Sequence, residues 1–284
     1  MIDNKDGRIV AERYRAGWTM HTPQRTWSVA KSLTATLVGR AVQMGLVDVN
    51  APATVPEWGA AGDPRAQITM AQLLRMNSGL WTDGPGNRTD EVYLGGASVT
   101  QTAATMPLEH APGSHFNYSN NDILLAAHAL KSRLGPQGLG FAFTEVLWPL
   151  GMTRTTPETD WQGNFVLSSQ VWMTARDMAR LALLYQNGGK AGGRQLLPTD
   201  WPAFVEAPTM TQPEGRREGY GAGFWRLSGV AGLPAGTYQM NGNRGQYAVI
   251  VPAAGVIVIR RGFDLPGKPF DPARFAADVL AILP

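Results

Sequence analysis

The chain of 284 residues carries 25 Lys and Arg against 22 Asp and Glu, and 44% of it is hydrophobic against 17% charged. That balance fits a folded protein able to bury a large core without staples and argues against disorder. The formal charge of +3 is small, and basic residues pair at most as Arg216-Arg217 and Arg260-Arg261, which leaves no footprint for nucleic acid. The lack of cysteine removes thiol nucleophiles, thiolate metal sites and disulfides. No apolar run reaches the roughly 18 residues of a membrane span. The opening MIDNKDGRIV has no charged stretch followed by a long apolar one, so no secretory leader is expected in this chain. The sequence leaves localisation and oligomeric state open.

In chain order, GRIVAERY at 7–14 has β character after the Lys5-Asp6-Gly7 turn signal. From Ser28 to about Met44 the pattern is helical, apolar around most of its circumference, with Lys31 and Arg40 as its only charges. This is a buried helix, and Gly45 suits its C-terminal cap. Residues 51–117 are rich in Pro, Gly, Asn and Thr, with short helical pieces such as 69–76. Helices are expected over 120–134 and 174–187, the second with Asp177 near its positive end and Gly188-Gly189 after it. GFWRL at 223–227, GTYQM at 236–240, YAVIV at 247–251 and VIVIR at 256–260 read as strands. The short Pro252-Ala253-Ala254-Gly255 connection makes the last two an antiparallel hairpin. PARFAADVLAIL closes the chain as a helix. This order suggests one sheet assembled from both chain ends, about 1–45 and 215–284, a mostly helical stretch from about 46 to 214, and a site in the cleft between them.

Three elements could bring chemistry to that cleft. In TWSVAKSL, helical spacing puts the Ser28 hydroxyl and the Lys31 amine on one face. A serine hydroxyl needs a base to take its proton, and a lysine becomes one when burial pulls its pKa toward neutrality; the plain alternative is a solvated helix face. In NYSNND, Tyr118 and Asn120 alternate, so an extended segment points both the same way. The phenol can pass protons and the amide can grip a substrate carbonyl and the lysine, or Ser119 and Asn120 simply cap the next helix. In NGNRGQY, Gly245 permits close approach of a ligand to the backbone, so the Gln246 and Ser28 amides could hold an oxyanion, where the plain alternative is a hairpin turn.

Taken together, Ser-Val-Ala-Lys, Tyr-Ser-Asn and a Gly-containing strand near the C-terminus resemble the serine β-lactamase and penicillin-binding protein superfamily. The likeness is greatest to its class C-like branch of esterases, D-aminopeptidases and 6-aminohexanoate-dimer hydrolases. ITMAQLLRMNSGL at 68–80, PLEHAPGSHFNYSN at 107–120, PLGMTRT at 149–155 and TARDMARLALLYQNGG at 174–189 share that likeness, which runs from about residue 7 to 284. The resemblance implies an α+β fold, an antiparallel sheet flanked by helices with a mostly helical lobe, in one catalytic domain over 1–284. It implies a serine hydrolase of a small ester or amide, with no cofactor: Ser28 as nucleophile, Lys31 as base, Tyr118 as proton relay, Ser28 and Gln246 at the oxyanion. Asn120, Asn243, Arg244 and Gly245 would meet substrate, and Trp81 and Trp172 fall where the family's cleft walls lie. A penicillin-binding or D-Ala peptidase role, weak β-lactamase activity or a slowly deacylating sensor are the alternatives.

Two departures stand out. Where the family has Lys-Thr-Gly or His-x-Gly, this chain has Asn243, Arg244 and Gly245. Asparagine brings no charge for a carboxylate, and on a strand Arg244 would point away from the face of its neighbours, so loss of the cationic anchor is expected. Only Met1 to Lys5 precede the first turn, so a truncated N-terminus is expected too. His21, His110, His115 and His128 have no ligand spacing, so no metal is expected. No Gly-x-Ser-x-Gly occurs, and Gly221-Ala222-Gly223 lacks a dinucleotide context.

Overall fold

The computed structural model describes residues 2–4, 7–82, 89–265 and 267–283. Its strands are β1 (Ile2–Asn4), β2 (Ile9–Ala11), β3 (Gln24–Arg25), β4 (Thr156–Pro157), β5 (Val171–Met173), β6 (Gly219–Tyr220), β7 (Trp225–Arg226), β8 (Tyr238–Gly242), β9 (Gln246–Val251) and β10 (Val256–Arg260). The helices that matter to the site are α1 (Val29–Gln43), α2 (Met70–Leu74), α3 (Asn120–Leu134), α4 (Ala175–Gln186) and α5 (Pro272–Ile282).

Seven strands form one antiparallel sheet in the order β2-β1-β10-β9-β8-β7-β6. The first strand pairs with the last, Ile2 opposite Val258, so both chain ends build the sheet. Strand alternation sorts its side chains into two cores. Ala248, Ile250, Ile257 and Ile259 join the main core with α1, while Val249, Val251, Val256 and Val258 face Ala273, Ala276 and Val279 of α5. Both faces are covered, which is why β9 and β10 read as continuous apolar runs. A smaller sheet, β3-β5-β4, sits beside the start of α1.

Every residue of α1 from Val29 to Ala41 is buried. Its C-terminus closes with the Leu46 amide on the Ala41 carbonyl and the Gly45 amide on that of Val42, with Gly45 at φ +71°. A side chain at Gly39 would stand 2.5 Å from the Trp201 indole, so the glycine lets Trp201 pack flat on the helix. Ser119 caps α3 through the Asn121 amide, and Thr174 caps α4 through that of Asp177.

The structure trims some sequence expectations. The 7–14 segment pairs only over β2, and the 223–227 run only over Trp225–Arg226; Gly223, at φ +73°, lies against the Lys31 carbonyl instead of continuing a strand. The 236–240 strand begins at Tyr238 and runs to Gly242. Residues 243–245, expected to lead into a strand, are the turn between β8 and β9. Met1 and Lys5, cited for a short N-terminus, lie outside the described residues. No helix among the described residues is long and apolar enough to cross a membrane.

Candidate active site

The two charges of α1 meet opposite fates. Arg40 closes on Glu145 at 2.8 Å. Lys31 is 1% exposed and, among the described residues, has no carboxylate within ion-pair distance. Its Nζ donates to Asn120 Oδ1 at 2.5 Å and to the Ser168 carbonyl at 2.8 Å, and lies 3.2 Å from Ser28 Oγ. These partners are neutral, so nothing offsets the loss of water around an ammonium, and burial pulls the Lys31 pKa down to about 7. A neutral amine has two N–H donors and one lone pair. Asn120 and Ser168 take the donors, which leaves the lone pair for the Ser28 hydroxyl.

Ser28 is the N-cap of α1, yet its side chain caps nothing. Serine is favoured at such a position because its oxygen satisfies a helix amide; here the oxygen is left for Lys31. The main chain enters through Trp27 in the left-handed region, φ +51°, a strained conformation for a bulky residue. The Thr26 hydroxyl and the Ala30 amide both donate to the Trp27 carbonyl and hold it there.

Tyr118 completes the cluster. Lys31 Nζ lies 5.1 Å from its ring centroid. Burial drives the Tyr118 pKa up to about 12, opposed by hydrogen bonding to Ser28, the Arg216 charge and Trp225. At neutral pH the phenol is protonated, so it can hand on a proton but cannot be the base; Lys31 can. Tyr118 packs on Tyr220 and Trp225, with centroids at 5.7 and 5.3 Å, and the Arg216 guanidinium lies 4.7 Å from the Trp225 ring.

The third element comes from the β8–β9 turn. A side chain at Gly242 would stand 2.2 Å from the Thr26 carbonyl and 3.3 Å from the Ser28 amide nitrogen. Only a glycine lets this strand end lie against the Ser28 backbone. Gln246 faces Gly242 across the ladder. Its buried side chain donates to the Arg244 and Gly262 carbonyls and accepts from Arg261. Gln246 thus braces the turn, and the residue against the Ser28 amide is Gly242.

The sequence matches the family model Beta-lactamase over residues 1–261. The chain belongs to the beta-lactamase family. It superposes on a structure assigned as a 6-aminohexanoate-dimer hydrolase from Bacillus anthracis with a TM-score of 0.79 and 21% identity, over 98% of this chain and 76% of that one. A family VIII carboxylesterase gives 0.72 and 19%, over 92% and 83%. A D-stereospecific amidohydrolase from Streptomyces gives 0.69 and 17%, over 91% and 86%. The fold is that of β-lactamases and transpeptidases, and the protein is a hydrolase of that family.

In this beta-lactamase family member, Ser28, Lys31, Tyr118 and Asn120 converge as the sequence suggested. Asn243 is exposed, with its side-chain oxygen accepting from the Arg244 amide at 2.8 Å, and Gly245 is buried at φ +84°. Arg244 is the correction. It sits in the left-handed region, φ +56°, in a turn where strand alternation does not apply, and its guanidinium lies 5.7 Å from the Trp27 ring. The expected loss of a cation here therefore does not follow. Trp172 is exposed opposite Arg25 in the β3–β5 pair. Trp81 is half-buried, its amide donating to the Pro107 carbonyl.

Sequence reasoning passed over Ser168, Trp27, Arg25 and Gly242. Ser168 acts through a backbone carbonyl, which leaves no residue signature, and the left-handed backbone of Trp27 shows only in the fold. A cavity of about 650 Å³ lined by Tyr14, Trp18, Phe263 and Phe270 has none of Ser28, Lys31 and Tyr118 in its walls.

Proposed function

We propose that this protein hydrolyses an ester or amide through an acyl-enzyme on Ser28. The observation that carries the proposal is the buried Lys31 amine without a counter-charge, 3.2 Å from the Ser28 oxygen. Neutral Lys31 takes the hydroxyl proton as Ser28 Oγ attacks the carbonyl carbon. The developing oxyanion is held by the Ser28 amide, which as N-cap has no acceptor within the helix, and by a second amide of the Gly242–Gln246 turn. Because Gly242 is the residue lying against Ser28, we assign that second donor to the Asn243 amide in place of Gln246.

Collapse of the tetrahedral intermediate expels the alcohol or amine. The proton held on Lys31 reaches the leaving group through the Tyr118 hydroxyl, which gives one proton and regains one. Water then attacks the acyl-Ser28 carbonyl, loses its proton to the same Lys31–Tyr118 pair and releases the acid, with Ser28 reprotonated. Tyr118 stays protonated across the range in which Lys31 titrates, so the acid limb of a rate profile reports Lys31.

A fluorophosphonate tests the assignment. It is expected to add one phosphonyl mass at Ser28, located by peptide mapping, and Ser28→Ala is expected to abolish the addition. Modification of a different serine would overturn the mechanism.

A further inference from the structure

The mechanism above leaves unused the cavity of about 650 Å³, a size that takes a small organic molecule. It lies between the segment that follows β2, the end of β10 and the start of α5. Five aromatic side chains line it: Tyr14, Trp18, Phe263, Phe270 and Phe275. The ring centroids of Trp18 and Phe263 stand 5.2 Å apart at 56°, and those of Phe270 and Phe275 5.4 Å apart at 66°. Phe263 is 58% exposed and Phe275 39%. Tilted pairs of this kind leave ring faces open to a further ring, and exposed aromatics gathered around one hollow mark a binding surface.

The unspent charge on its walls has one sign. Both carboxylates that line it are already paired: Glu12 closes on Arg176 at 2.6 Å and accepts from the Tyr14 hydroxyl, and Asp264 closes on Arg260. Arg13, Arg15 and Arg261 line it too, and among the described residues none of them has a carboxylate within ion-pair distance. Arg261 donates to neutral acceptors, the carbonyls of Gln24, Arg25 and Met173 and the Gln246 side-chain oxygen. The field inside is therefore positive and favours an anion over a neutral ligand of the same shape. The wall is also held in place. Arg260 lies 4.1 Å from the Phe270 ring centroid, the Phe270 amide donates to Asp264 at 3.3 Å, and the Asp264 amide donates to the Arg244 carbonyl at 3.1 Å. Walls fixed in this way lose little freedom when a ligand enters.

We infer that this cavity is a second small-molecule site, for an organic anion with a flat aromatic body. An aryl carboxylate or sulfonate fits it, with the ring among Trp18, Phe263 and Phe270 and the charge facing Arg13, Arg15 and Arg261. The site is separate from the catalytic cleft, since Ser28, Lys31 and Tyr118 are not in its walls, and it stands whether or not Ser28 is acylated.

The dye 8-anilinonaphthalene-1-sulfonate, an aromatic sulfonate, tests the site by its rise in fluorescence on binding. The dye should be displaced by 4-phenylbutanoate at about fivefold lower concentration than by 4-phenylbutanamide, the scale of a partly exposed charge pair. That preference should shrink as salt is raised. It should shrink also in the Arg13→Gln/Arg15→Gln double variant, where the amide displaces the dye as before. Trp18→Ala and, separately, Phe263→Ser each take a ring from the wall and should weaken dye binding about tenfold, with unfolding still cooperative. Protein treated with fluorophosphonate should bind the dye within about threefold of the native affinity. The site is refuted if both ring variants bind the dye as tightly as the native protein, or if acid and amide displace it equally. Loss of dye binding on blocking Ser28 would place the dye in the catalytic cleft and refute it too. A native protein that elutes as a dimer, with Trp18→Ala eluting as a monomer, would assign the aromatic wall to a second copy of the chain and overturn the small-molecule site.

Discussion

Replacing Lys31 by methionine should make the stability of this protein depend on pH in a way that exposes the cost of the lysine. In the fold, burial holds the Lys31 pKa at about 7 against an ordinary 10.5, so the unfolded chain binds a proton more readily than the native state between those values. Stability therefore rises with pH across that window, and the contribution is lost as pH falls toward 7. Each pH unit well inside the window is worth at most about 1.4 kcal/mol. From pH 7, where the native lysine is already half-protonated, to pH 9, the wild type should gain about 2 kcal/mol relative to Lys31→Met. Groups common to both proteins cancel in the difference, as does any cavity left by the methionine. Urea unfolding of both proteins at pH 7, 8 and 9 measures it, with Lys31→Met relatively most favoured at pH 7. A gap that stays constant across the three pH values would mean that Lys31 remains an ammonium in the fold, and it could not then serve as the base.

Two further substitutions probe the same geometry. Asn120→Asp places a carboxylate against Lys31 Nζ, where the amide oxygen now sits at 2.5 Å; the acid limb of kcat/KM should move up by more than about one pH unit, with a tenfold loss at neutrality, and an unmoved limb would show that another group titrates there. Gly242→Ala drives a methyl group into the Thr26 carbonyl and against the Ser28 amide; ester turnover should fall by about a hundredfold or more, as on removal of an oxyanion donor, and near-native turnover would place the oxyanion elsewhere.

Elements with strong apolar periodicity were legible in the sequence. Helix α1 runs where the pattern from Ser28 to Met44 put it, α3 and α4 match 120–134 and 174–187 closely, and the 247–260 hairpin turns at Pro252–Ala254 with Gly255 left-handed at φ +65°. Spacing alone also brought Ser28 to Lys31. What escaped was set by distant parts of the chain. The Arg244 backbone is held by Asp264 and Gln246, and a strand-based rule sent its side chain the wrong way. Lys31 depends on a carbonyl from Ser168, 137 residues away, and a carbonyl looks the same in every residue. The buried glycine at 242 reads from sequence as part of an Asn-Gly turn, and only its contact with the Ser28 backbone shows why no side chain is tolerated there.

The pairing of Ile2 with Val258 has a bearing on how the protein is made. On the ribosome, α1 emerges early, apolar around most of its circumference, while β8, β9 and β10, which cover it, are synthesised last. Until residue 260 is free, that helix has no sheet to bury against, and the Ser28 turn has no Gly242 to lock it. Loop closure over so long a separation is slow and leaves sticky surface exposed. Catalytic competence should appear late and all at once, and chains cut short before β9 and β10 should be both inactive and prone to aggregate.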